Sequence, residues 1–91
     1  MEIISHHTLA NSSLSEQVTA TVNKYFNNLD GEKPVDLYKL VLEEVEIPLF
    51  EATMRYTKNN QSKAARILGL ARGTLRTKLK RYFEDTYIGT R

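Results

Sequence analysis

The sequence predicts an all-α chain of four helices, two long ones followed by a C-terminal helix-turn-helix. Three observations carry that prediction. Apolar residues between Leu14 and Phe50 recur at steps of three and four, the period of a helix face. The segment after residue 60 holds a small residue, a glycine and an apolar residue at Ala65, Gly69 and Leu75, the spacing that a tight crossing of two helices requires. Only 41% of the 91 residues are apolar, so a single copy has a thin core and shared burial in an oligomer is expected.

Residues 1–12 show no sustained period and read as a mobile arm. Within it His6 and His7 are adjacent, and adjacent side chains on a helix diverge, so they form no ready chelate. The first helix opens at Ser13-Leu14-Ser15-Glu16, a capping box with Ser13 as N-cap. Its stripe is Leu14, Val18, Val22, Tyr25, Phe26 and Leu29, and Asp30-Gly31 ends it, glycine being suited to a left-handed cap.

Pro34 suits the first turn of the second helix, and Asp36 its positive end. Leu37, Tyr38, Val41, Leu42, Val45, Leu49 and Val35 fill one apolar arc, whereas Leu40, Ile47 and Phe50 fall outside it among the acids. A helix apolar on two sides needs two neighbours, and a chain this short is expected to find one of them in a second copy. The expectation is therefore a homodimer, in which a second copy covers the side that carries Leu40, Ile47 and Phe50. Pro48 predicts a kink within the helix, which resumes through Tyr56 and frays from Thr57 to Asn60.

Ser62 is expected to cap a short third helix running to Leu68, with Gly69 at the turn and Leu75 pinning the pair. The fourth helix, residues 72–83, puts Leu75, Leu79, Tyr82 and Phe83 on its inner face. Gly73, Thr74, Arg76, Thr77, Lys80 and Arg81 lie opposite. The implied organisation is an arm at 1–12, dimerisation helices at 13–58, a helix-turn-helix at 59–83 and a tail at 84–91.

The net charge of +2 conceals a dipole. Residues 1–54 carry three basic and nine acidic side chains, while residues 55–91 carry ten and two. From Arg55 to Tyr82 there are nine basic residues and no acid. Such a run is self-repelling, and phosphates would relieve the repulsion. Double-stranded DNA is the expected partner. Arg72, at the tip of the fourth helix, is the candidate base contact in the major groove, because a guanidinium fork matches guanine O6 and N7. Arg76 can reach a base or a phosphate. Asn60, Ser62, Thr74, Lys78, Lys80 and Arg81 are assigned to phosphates, and Thr77 shares their face.

The absence of cysteine excludes disulfides, thiolate zinc sites and cysteine nucleophiles. No apolar run exceeds three residues, too short for a membrane span, and residues 1–10 lack the pattern of a signal peptide. The expectation is a small soluble intracellular protein. No Ser-His-Asp set, metal-ligand cluster or isolated buried acid stands out, so neither an enzyme nor a cofactor is expected.

The run from Asp36-Leu37-Tyr38 through Val41-Leu42-Glu43-Glu44-Val45-Glu46 to Pro48-Leu49 resembles the second helix of the bacterial Fis family, the factors for inversion stimulation. Tyr56-Thr57 and the block from Asn60 to Tyr82, with Gly73-Thr74-Leu75-Arg76 and Lys78-Leu79-Lys80, resemble that family's helix-turn-helix. The likeness covers about residues 14–83. It implies a homodimeric, nucleoid-associated regulator of transcription in the bacterial cytoplasm, its two long helices forming an intertwined homodimer core with Val22, Phe26, Leu40, Val41, Ile47 and Phe50 at the interface, and RNA polymerase as a further candidate partner. It also implies DNA bending at degenerate palindromes with A/T-rich centres. The pattern has Asn where this chain has Ala71, and Lys where it has Thr77. The arm is shorter than in members that stimulate inversion, and the tail runs past the usual end. The same C-terminal block resembles the DNA-binding domain of nitrogen-regulator-type enhancer-binding activators, although no Gly-rich phosphate loop is present. A basic helical adaptor for acidic proteins is the alternative of a different class.

Overall fold

A computed structural model describes residues 13–87, and all its regular elements are helical: α1 (Leu14–Asn27), α2 (Leu37–Tyr56), α3 (Gln61–Leu68) and α4 (Arg72–Phe83). The all-α, four-helix expectation holds. The N-terminal arm with His6 and His7, and residues 88–91 of the tail, lie outside the described residues. None of the described helices is long and apolar enough to cross a membrane.

The chain divides into two compact units within α2, between Val41 and Leu42. In the first unit α1 begins with the expected capping box. The Ser13 hydroxyl accepts from the Glu16 amide at 3.1 Å, and the Ser13 amide donates to the Glu16 carboxylate at 3.0 Å. After α1 the chain reverses through Asp30 (φ 54°) and Gly31 (φ 88°), with the Glu32 amide donating to the Leu29 carbonyl at 3.0 Å. Positive φ at both central positions is why an Asp-Gly pair stands there. No residue of α1 is buried, and Phe26 is 46% exposed.

The start of α2 differs from expectation. Pro34 and Val35 precede the helix, and Asp36 takes a positive φ of 56° while its carbonyl accepts the Leu40 amide at 3.0 Å. Proline is compatible with a first helical turn; here the left-handed Asp36 sets the boundary instead. The helix runs on through Pro48.

In the second unit the core consists of Phe50, Met54, Ala64, Ala65, Leu75 and Leu79, with Leu68, Leu70, Tyr82, Phe83 and Tyr87 packed around it. The face of α2 used here is the one the sequence placed among the acids. Phe50 is 2% exposed, whereas Tyr38 and Leu49 of the main apolar arc are 80% and 45% exposed. Phe50 is thus consumed within its own chain and withdrawn from the expected dimer face. Leu40 remains exposed, and Val22, Val41 and Ile47 are half-buried.

Residues 57–60, expected to fray, form a defined turn. The Asn59 amide donates to the Met54 carbonyl at 2.8 Å and that of Lys58 to Arg55 at 3.1 Å, with Lys58 and Asn59 both left-handed. This double bond pattern satisfies the carbonyls at the end of α2. Asn60, not Ser62, caps α3: its side chain accepts the Lys63 amide at 3.0 Å, so the helix starts two residues early. At the other end Gly69 is left-handed (φ 75°), and the Leu70 amide returns to the Ala65 carbonyl at 3.0 Å. The apolar Leu70 then packs on the core beneath, as this type of cap favours.

A Cβ at Gly69 would meet no atom within 4 Å, so its replacement tests backbone conformation alone. Gly69→Ala should cost about 1–2 kcal/mol, measured as a fall in the denaturant midpoint with unchanged slope.

Candidate nucleic-acid interface

The recognition surface follows from how α4 is held. Leu75 and Leu79 are 0% and 2% exposed, and a helix anchored along one line presents the opposite line to solvent. Arg72, Gly73, Thr74, Arg76, Thr77, Lys80 and Arg81 are all exposed. Six of the nine residues singled out in the sequence therefore share the outer surface of α4. Ser62 is half-buried on α3, and Asn60, half-buried before it, spends its side-chain oxygen on the cap.

The N-terminus of α4 is left without a side-chain cap. Ala71 takes the extended backbone of an N-cap (φ −63°, ψ 145°) but offers no acceptor, and the first helical bond runs from the Leu75 amide to the Ala71 carbonyl at 3.0 Å. The amides of residues 72–74 precede that bond and carry the positive end of the helix dipole. An anion is the ligand such an end accepts, and Arg72 stands beside it.

Lys78 has a partner within the chain. It lies on the flank facing α2, where its ammonium pairs with the Glu46 carboxylate at 3.3 Å. The Tyr82 hydroxyl donates to the same carboxylate at 2.7 Å. Read from the sequence, Glu46 is one of several solvated acids, and this junction is missed. The available signal was Phe50, one turn further along α2, which puts Glu46 on a face that has a covering neighbour. Burial, the hydrogen bond with Glu46 and its negative charge together push the Tyr82 phenol from its usual 10.0 up to about 12.

Among the described residues no group of three His, Cys, Asp or Glu side chains could hold a metal ion. The surface is built of donors and positive charge, with backbone amides at one end. It suits a polyanion with regularly spaced phosphates.

Because the neutral phenol is favoured in the fold, Tyr82 contributes stability that is complete below pH 10 and lost as pH rises toward about 12. A tyrosinate absorbance titration should show a late component near pH 12. Tyr82→Phe should remove that late component, and Glu46→Gln should bring it to lower pH.

Residues 41–82 match the family model described as "Bacterial regulatory protein, Fis family". The chain is also 50% identical over 78 residues to the DNA-binding protein Fis of Actinobacillus succinogenes, covering 86% of this chain and 79% of that protein. It is 49% identical over 72 residues to the DNA-binding protein Fis of Mannheimia haemolytica, covering 79% and 74%. Over 69 residues it is 51% identical to that of Psychromonas ingrahamii, covering 76% and 70%.

Proposed function

This chain belongs to the Fis family of bacterial regulatory proteins, and on that footing we propose that it acts as a homodimeric, nucleoid-associated regulator. In this reading it binds duplex DNA in the bacterial cytoplasm and bends it at degenerate palindromes with A/T-rich centres. The observation that carries the reading is the outer face of α4, where exposed cations and hydroxyls stand opposite a buried leucine pair. With α4 seated in the major groove, Arg72 reads a guanine edge, and Arg76, Thr74, Thr77, Lys80 and Arg81 grip the flanking backbone. Asn60 and Ser62, at the start of α3, add contacts to phosphate. Lys78 is left to its pairing with Glu46. Membership of the family implies two recognition helices closer together than one turn of DNA, which reach both half-sites only if the duplex bends. Specificity then rests largely on how readily the centre of the site deforms.

The homodimer is supported by what the chain leaves uncovered. Val22 is half-buried and Phe26 exposed on α1, none of whose residues is buried. On α2 the arc containing Val41 and Leu49 remains partly open, with Leu40 exposed beside it. A second copy covering these apolar residues would supply the burial that the first unit lacks. RNA polymerase is a further partner in the same regulatory reading.

In duplex-binding assays Arg72→Ala should cost about 1–3 kcal/mol and relax preference at the outer base pairs. Lys80→Ala should weaken all duplexes alike and reduce the salt slope by about 1 for each phosphate no longer neutralised. Unchanged affinity for the best site in Arg72→Ala would rule out this docking. Independently, Phe26→Asp or Leu40→Asp should halve the mass seen by light scattering; a wild-type chain already monomeric at micromolar concentration would remove the dimer.

A further inference from the structure

The family match ends at residue 82, yet the packing does not. Phe83 and Tyr87 both lie against the core of the second unit. Tyr87 meets Phe83 edge-on with ring centres 5.4 Å apart. Phe83 meets Tyr82 at 6.2 Å, and Tyr82 meets Phe50 at 6.1 Å. An aromatic series thus runs from the centre of the core out to the tail. The chain gets there by a sharp reversal at Glu84, whose φ of 54° and ψ of −124° belong to a backbone region favoured by glycine. The Thr86 amide closes the turn on the Phe83 carbonyl at 3.1 Å.

The reversal delivers the Tyr87 carbonyl to Gln61, whose side-chain amide donates to it at 2.9 Å. Gln61 is 6% exposed, and a buried side-chain amide needs hydrogen-bond acceptors, one of which the tail supplies. Gln61 is the first residue of α3 and lies between Asn60 and Ser62. A bond across 26 positions of sequence therefore ties the start of α3 to the chain beyond α4.

We infer that residues 84–87 form an intramolecular latch, with Gln61 as its positioning residue, that fixes the first turn of α3 against α4. The consequence for DNA rests on the proposed duplex-binding function: the latch holds Asn60 and Ser62 in register with the phosphate-gripping face of α4. The unlatched helix pair still has its leucine core but a loose α3 N-terminus.

Two full-chain variants break the latch from opposite sides, Gln61→Met removing the donor and Tyr87→Ala removing the ring. Amide hydrogen exchange of the DNA-free protein is the first readout. In each variant the Lys63 and Ala64 amides should lose protection roughly tenfold, while the Leu79 amide of α4 keeps its protection. The second readout is binding to an A/T-centred duplex, which should weaken by roughly threefold to tenfold. Unchanged protection at Lys63 and Ala64 in either folded variant overturns the latch. Reduced protection with unchanged duplex affinity overturns its bearing on DNA. Reduced protection in a protein whose wild type binds no duplex leaves the latch standing and sinks the DNA reading instead. If Tyr87→Ala does not fold, Gln61→Met, which conserves volume, decides alone.

Discussion

Everything in the second unit depends on three helices meeting over a core of six buried apolar side chains among the described residues. With so few, each must be reached by a chain path that wastes no residues. Two of the six are alanines, which lets α3 approach closely at the expense of buried volume. Leu75 can sit at 0% exposure only because the chain turns back within three residues of Leu68. A left-handed residue at position 69 is what makes that turn possible. The geometry of the α3–α4 pair is therefore set by one backbone conformation and one leucine, and the cationic residues ride on it.

Electrostatics enters as a consequence of that packing. Anchoring α4 along Leu75 and Leu79 turns Arg72, Arg76, Lys80 and Arg81 outward together, which concentrates like charge on one surface. Glu46 offsets part of this from within. It draws Lys78 to the α2 side and engages the Tyr82 hydroxyl, so one carboxylate both neutralises a cation and joins α2 to α4. Charges on the outer face are left to find their counterions elsewhere, and a polyanion supplies them at fixed spacing.

The helices themselves are legible because their signals are local. The Ser13 capping box, the Gly69 turn and the limits of α4 can all be read from residues within one or two turns of each other. Sequence misleads where a distant partner decides. Periodicity locates two apolar faces on α2 but cannot say which one its own chain covers, so it sends Phe50 to the dimer and Glu46 to solvent. Both positions depend on α4 arriving over that face. The starts of α2 and α3 escape it for a subtler reason. Asp36 and Asn60 each compete with a neighbouring residue that is also a good helix starter, and the choice turns on backbone angles that residue type only biases. Within the site, the exposed face of α4 is readable from its 3.6-residue period alone. Lys78, on the flank of that face, is not. Gln61 and Tyr87 give no sequence signal because their bond spans 26 positions.

The two units pose opposite physical problems, and the contrast bears on how the molecule works. The second unit buries a core of its own and exposes charge, although Leu49, Tyr56 and Ile67 stay open on its surface. The first exposes apolar residues along α1 and buries none there, although its N-terminal cap is fully formed. A 14-residue helix at the edge of what is stable alone in water would gain little from that cap unless tertiary burial followed. Its apolar stripe, repeated at three- and four-residue steps, is wasted in a lone chain. The proposed second copy would resolve this without new sequence, since the same stripe can serve both chains about a two-fold axis. Two-fold symmetry would also duplicate α4, and a duplicated reading head is what a palindromic duplex requires. In the proposed dimer, oligomerisation and DNA recognition would then be a single requirement, since a two-fold pair of chains offers two copies of α4 to one duplex.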